Sequence, residues 1–96
     1  MNKNNNFIIK LIVNNHPGVM SHITGLFSRR AFNLDGILCT RIGSGKTSVM
    51  YLLVKDDERL EQIIKQVEKL YDVLDVSLHT EDECTIFNNL YIDNGN

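Results

Sequence analysis

An α+β fold is predicted for this chain: a four-stranded antiparallel sheet with two helices on one face, in the order βαββαβ. Three observations predict it. Apolar residues alternate at a period of two in the runs Phe7 to Val13 and Val73 to Leu78. They recur at three- and four-residue steps from Gly18 to Ala31 and from Leu60 to Tyr71, which is the spacing of one helix face. Between the helical runs lie two more extended runs, separated by Gly43-Ser44-Gly45-Lys46 as in a hairpin.

In the first strand Phe7, Ile9, Leu11 and Val13 share a face, Lys10 and Asn14 mark the other, and Ile8 and Ile12 predict that this second face is partly covered. Pro17 biases His16 out of helical geometry and fits a first helical turn, where its missing N–H costs nothing. The first helix is therefore expected to begin at Pro17 or Gly18. Its stripe is Met20, Ile23, Phe27 and Ala31, widened by Val19 and Leu26, and Arg29-Arg30 closes it where cations favour the helix dipole.

Leu34 to Ile42 reads as the second strand, with Gly36 a candidate bulge or a place where another backbone approaches closely. Val49 to Val54 is nearly all apolar, which predicts a central strand. Asp56-Asp57-Glu58 supplies an N-cap and an acidic first turn to the second helix. Its stripe is Leu60, Ile63, Ile64, Val67, Leu70 and Tyr71, and Asp72 breaks it. This succession is the split-βαβ, ferredoxin-like arrangement. Residues 7–79 are expected to form the domain, after a disordered polar leader at 1–6. The tail at 80–96 is expected to be frayed or to form a short helix docked on something else.

A chain of 96 residues fits one domain. It would bury only roughly 60–65% of its unfolded surface, so a partner surface, and hence oligomerisation, is expected. Ten basic against twelve acidic residues give a net charge of −2, without the basic footprint that nucleic acid requires. Cys39 and Cys84 sit in no metal-ligand or CxxC spacing and read as free thiols. No signal-peptide pattern and no run approaching ~18 apolar residues is present. A cytoplasmic protein with no nucleic-acid or membrane partner is expected.

The stretch Asn14 to Met20, NNHPGVM, carries the functional signal. A strand that stops and a helix that starts within a few residues leave backbone N–H groups at Gly18, Val19 and Met20 as a seat for a carboxylate, and Gly18 permits close approach. Alone, Asn15, Pro17 and Gly18 read as well as turn chemistry, and Asn33 as a residue tolerating left-handed geometry after a helix. In this topology the loop after the first strand and an edge-strand residue of a neighbouring subunit can meet across a dimer interface. His16, His22 and His79 have no spaced acidic or cysteine companion, so no metal site or triad is predicted. The serines lack a nucleophile elbow, and Gly43 to Lys46 is too short for a phosphate loop and precedes a strand. No catalytic residue is assigned.

The segments HPGVM, GLFSRRAFN, DGILC and ERLEQIIKQVEKLYDV together resemble the small regulatory subunits of acetohydroxyacid synthase (acetolactate synthase), in the short form made almost wholly of one ACT domain. The resemblance runs from about Phe7 to Val76, GLFSRRAFN is its most specific part, and Thr85-Ile86-Phe87-Asn88 looks like the short form's C-terminal end. It implies a chain without catalytic residues or cofactor that associates with a catalytic large subunit holding thiamine diphosphate, magnesium and FAD. It also implies a homodimer paired through an edge strand into one eight-stranded sheet, with a branched-chain amino acid, usually valine, bound at the interface. By position Asn15, Gly18, Val19 and Met20 match the family's ligand loop, with His16 inside it, and Asn33 matches the residue contributed across the interface. His16-Pro17 is the short-form version of a loop that differs in longer members.

Three other readings share this topology. A free-standing ACT sensor serving another metabolic enzyme keeps the ligand site and changes the partner. A ferredoxin-like RNA binder needs aromatics on the central strands and a basic surface, whereas Tyr51 stands alone in the third strand and the chain is acidic. An acylphosphatase-like enzyme needs the phosphate loop this chain lacks.

Overall fold

A computed structural model describes residues 6–87. The elements are β1 (Asn6–Asn14), α1 (Val19–Arg29), β2 (Gly36–Ile42), β3 (Thr47–Lys55), α2 (Leu60–Glu68) and β4 (Val73–Thr80). They form one four-stranded sheet in the order β2-β3-β1-β4, every neighbouring pair antiparallel. This is the expected βαββαβ fold. The nearly all-apolar β3 is central, as expected, and β2 and β4 are the edges.

The pleat of β1 puts Ile9, Leu11 and Val13 under the helices, where they meet Met50, Leu52 and Val54 of β3. From above, Val19, Ile23, Leu26 and Phe27 of α1 and Leu60, Ile63 and Val67 of α2 close the core. Burying each such side chain stabilises the fold by roughly 1.5–3 kcal/mol relative to exposure.

The opposite face is covered too, as Ile8 predicted. Ile8, Leu53 and Phe87 form a second cluster, with Leu38, Tyr51 and Cys84 packed against it. The chain after β4 turns back over the sheet: Glu81 N–H donates to the Asn6 carbonyl and Cys84 N–H to that of Thr80. Residues 81–83 and 86–87 are turns. Residues 1–5 of the expected leader and the apolar Leu90, Tyr91 and Ile92 lie outside the described residues. A Cβ on Gly36 would stand 2.9 Å from the Phe87 ring, so the close approach predicted at Gly36 is that of an aromatic side chain. The β2–β3 ladder runs without interruption, and the sheet's irregularity falls between β1 and β4 at Ile12 and Val13.

Both helices are shorter than their apolar periodicity. After α1, Ala31 adopts a left-handed φ of 55°, and Phe32 N–H reaches back to the Phe27 carbonyl at 2.9 Å. That pattern ends helices, usually on glycine, and it returns Phe32 to the core edge-on to Phe27, with ring centroids 5.8 Å apart. Ala31 is thus exposed and leaves the expected stripe, and the left-handed residue is Ala31, two positions before Asn33. In α2 the stripe ends at Val67, because Leu70 and Tyr71 lie in the turn that follows, with Tyr71 90% exposed. The expected acidic cap falls one turn early: Arg59 precedes α2, no side chain caps the helix, Glu61 is the acid of its first turn, and the Asp57 carboxylate instead accepts the Arg59 backbone N–H at 2.7 Å in the turn before it. The Arg59 side chain also binds this carboxyl and holds it below the ordinary carboxylate range.

Candidate functional site

β1 ends where Asn14 N–H donates to the Asp72 carbonyl at 2.9 Å, and Asn15 N–H then turns to the Lys46 carbonyl at 3.0 Å. The Asn15 side chain donates its amide hydrogen to the Gly45 carbonyl at 2.8 Å. The β2–β3 hairpin therefore holds Asn15 by two bonds, leaving its side-chain oxygen as an acceptor. Three residues on, Gly18 stands at φ 88° as the cap of α1, a conformation glycine adopts without strain. Nothing lies within 4 Å of where its Cβ would be, so a ligand can approach the backbone there.

The helix begins at Val19, not at Pro17 or Gly18, because the left-handed Gly18 cannot be a helical residue. Its first-turn N–H groups have no carbonyl one turn back inside the helix, although that of Val19 donates to the His16 carbonyl of the loop at 3.3 Å. The Val19 side chain is buried in the core, so only its backbone can serve a ligand, while Met20 is exposed beside the loop. Backbone donors, one amide-oxygen acceptor and one exposed apolar side chain thus come from one short loop, which is open to approach at Gly18. That combination matches the carboxylate, ammonium and aliphatic parts of a free amino acid.

His16 departs from its expected isolation. Its Nε2 lies 2.7 Å from the Asp72 carboxylate, and its Nδ1 lies 2.8 Å from the Pro17 carbonyl. Asp72 is nearly buried, and no sequence spacing signals this partnership between the first loop and the α2–β4 turn. Both partners accept, so only the protonated imidazole can donate to both. The Pro17 carbonyl, and after it the Asp72 carboxylate, push the His16 pKa up from 6.5.

A raised folded-state pKa stabilises the fold fully below the unfolded value and loses that contribution as pH rises through the folded value. The stability difference between the protein and His16→Gln is accordingly expected to be greatest below about pH 6.5 and to fade above the raised pKa. Thermal melts across pH measure it, and a difference independent of pH would refute the ion pair. By NMR titration, Asp72→Asn should lower the His16 pKa only partway, because the Pro17 carbonyl remains.

Asn33 lies at the other end of the sheet. Level with Asn14 are Thr47 and Ile42, whereas Gly36, just after Asn33, is level with Leu53 and Ile8. Six residue steps of β3 separate the two levels, roughly 20 Å at 3.3 Å per step. Within one chain Asn15 and Asn33 cannot touch the same small ligand. The Asn33 amide donates to the Asp35 carboxylate at 2.9 Å, which leaves its oxygen free, as in Asn15.

Elsewhere, His79 contacts Ser77 and Cys39 is an exposed thiol in mid-β2. No cluster of three or more metal-ligating side chains occurs among the described residues. No helix there is long and apolar enough to cross a membrane.

A family model described as the AHAS small subunit-like ACT domain matches residues 9–75. The acetolactate synthase isozyme 1 small subunit of Escherichia coli K12 is 52% identical over 87 residues, covering 91% of this chain and 90% of that protein. A probable acetolactate synthase small subunit of Archaeoglobus fulgidus is 39% identical over 74 residues, covering 76% of this chain but only 46% of its own length. Among solved structures, the acetolactate synthase small subunit of Thermotoga maritima superposes with a TM-score of 0.68 at 35% identity, over 76% of this chain and 46% of that one. The regulatory subunit of aspartate kinase from Thermus thermophilus, at 18% identity and a TM-score of 0.65, shares the fold.

Proposed function

This chain belongs to the acetolactate synthase small-subunit family of ACT domains, and from that premise we propose that it is a non-catalytic subunit reporting branched-chain amino acid levels to the catalytic large subunit. The ligand is a branched-chain amino acid, valine foremost. Backbone N–H groups at Gly18 and Met20 take its carboxylate, joined by that of Val19 in exchange for its 3.3 Å bond to the His16 carbonyl, the Asn15 side-chain oxygen takes its ammonium, and Met20 meets its aliphatic end. Asn33 of a second copy completes the site. His16 holds the loop in shape through Asp72. The large subunit carries thiamine diphosphate, magnesium and FAD, and this chain carries no cofactor.

The observation that carries the reading is the distance between the two asparagines. A site using both must be built from two chains, and β2 is the edge suited to pairing them. It is seven residues long, free of proline and bulge, and exposes Ile37 and Ile42, so it has few of the guards that keep edge strands apart. Asp35 precedes it, while Arg41 and Lys46 lie toward its other end. Antiparallel pairing of two β2 strands sets the acidic end of each copy beside the basic end of the other. It also carries Asn33 of each copy to the end where its partner's Asn15 stands.

Binding at such an interface couples ligand to assembly, and couplings of about 1–3 kcal/mol suffice for a severalfold to hundredfold regulatory effect. Calorimetric titration with valine, leucine and isoleucine, alone and with the large subunit, tests the reading. Saturable heat with at least one of them, and altered enzyme activity over the same concentration range, is the expected result. No heat with any of the three would end it.

A further inference from the structure

The structure has a second edge, and its surroundings differ from those of β2. Between α2 and β4 runs a groove of about 590 Å³ floored by Leu60, Ile64 and Leu78, with Leu78 43% exposed. A smaller cleft of about 240 Å³ continues along the same edge past Leu74, which is 54% exposed, and Glu68 borders both. Carboxylates rim this apolar floor: Asp56, Glu58, Glu61, Glu68 and Asp75, against Lys65 as the base among the lining residues.

From this arrangement we propose that the α2–β4 groove is the docking surface for the catalytic large subunit, and that its occupant is a Lys- or Arg-flanked segment with apolar side chains along one side. The inference rests on the regulatory reading above and adds the surface and the chemistry of its partner. Charge decides the occupant. A second copy of this chain docked here about a two-fold axis would set carboxylates against carboxylates, which disfavours association. Residues 88–96 of the same chain carry Asp93 and no lysine or arginine, so they do not complement the rim either. A basic partner does, and its apolar side chains would cover Leu74 and Leu78. The register irregularity opposite Ile12 and Val13, together with the exposed Asp75, guards β4 against simple strand addition, so the groove beside it is the seat.

The location also connects the surface to the ligand loop. The α2–β4 turn contains Asp72, whose carbonyl accepts the Asn14 N–H and whose carboxylate binds His16. A ligand that reshapes the loop therefore acts on the turn between the groove's two walls.

The test measures affinity of the full-length chain for its cognate large subunit by calorimetry, at low and high salt. Wild type is compared with the double substitution Glu61→Lys and Glu68→Lys, and separately with Leu78→Lys; all three positions are exposed. Each variant is expected to bind at least tenfold more weakly while keeping amino-acid binding and dimer mass, and the charge-reversed variant should lose most of its salt dependence. Affinities within twofold of wild type for both variants would overturn the docking surface and leave the regulatory reading standing. Loss of dimer mass in either variant would overturn it as well, by making this face a contact between copies. A wild-type chain that fails to bind the large subunit would overturn the regulatory reading and this inference with it.

Discussion

Replacing Phe87 by alanine should lower the free energy of unfolding by about 3–4 kcal/mol, the usual cost of emptying a buried aromatic site. Phe87 lies beyond the last strand, where truncation is normally cheap, yet it is buried against Ile8 and Leu53 on the sheet face that carries no helix. Removing the ring exposes that face and frees the space above Gly36. In a domain of this size each kcal/mol moves the melting midpoint by about 4–8 °C, so a fall of roughly 12–30 °C is expected. Phe87→Leu should cost far less. A thermal or urea melt decides it, and a loss below about 1 kcal/mol would mean that the ring contributes little beyond its contact.

Alanine at either Asn15 or Asn33 should weaken amino-acid binding by roughly tenfold to a hundredfold, since each loses an uncharged acceptor to a charged ammonium, worth about 1.5–3 kcal/mol. The informative result comes from mixing them. In a heterodimer of Asn15→Ala and Asn33→Ala chains, one interface site contains both substitutions and the other contains neither. Co-expressing differently tagged chains and titrating the purified heterodimer should therefore recover one wild-type site per dimer, although each parent homodimer has none. No recovery would show that the two asparagines do not act across the interface. The same result would also follow if each chain formed its own site, which the separation along β3 opposes.

Much of the fold was legible because the relevant physics is local. Alternation in Phe7 to Val13 and three-four spacing in Leu60 to Val67 are properties of consecutive side chains, and both became the elements they predict. Tyr71 shows the limit: it continues the apolar spacing of α2, but the hydrogen bond from Val73 N–H to the Leu70 carbonyl belongs to the next turn, and the ring ends up in solvent. Ala31 shows another, since a non-glycine residue in a left-handed turn carries no compositional mark. At the site, the Pro-Gly junction was readable from Asn14 to Met20, while the left-handed Gly18 that delays the helix to Val19 was not. The His16–Asp72 pair was not, because only the tertiary fold brings the first loop to the α2–β4 turn. The burial of Phe87 was not legible either, because its neighbours come from β1, β2 and β3.

The strand order β2-β3-β1-β4 fixes how many hands such an assembly has. With β2 as the shared edge, the joint sheet begins and ends on β4, and its two outer strands stand seven inter-strand spacings apart, roughly 34 Å at 4.8 Å each. They point to opposite sides of the two-fold axis. With the proposed docking groove beside each β4, such a dimer would be bivalent: it would bridge two catalytic subunits, the second attachment being intramolecular once the first has formed. Its hold on a catalytic dimer would then depend on avidity as much as on either contact alone. An amino acid that only slightly turns one half of the sheet against the other could release both ends together.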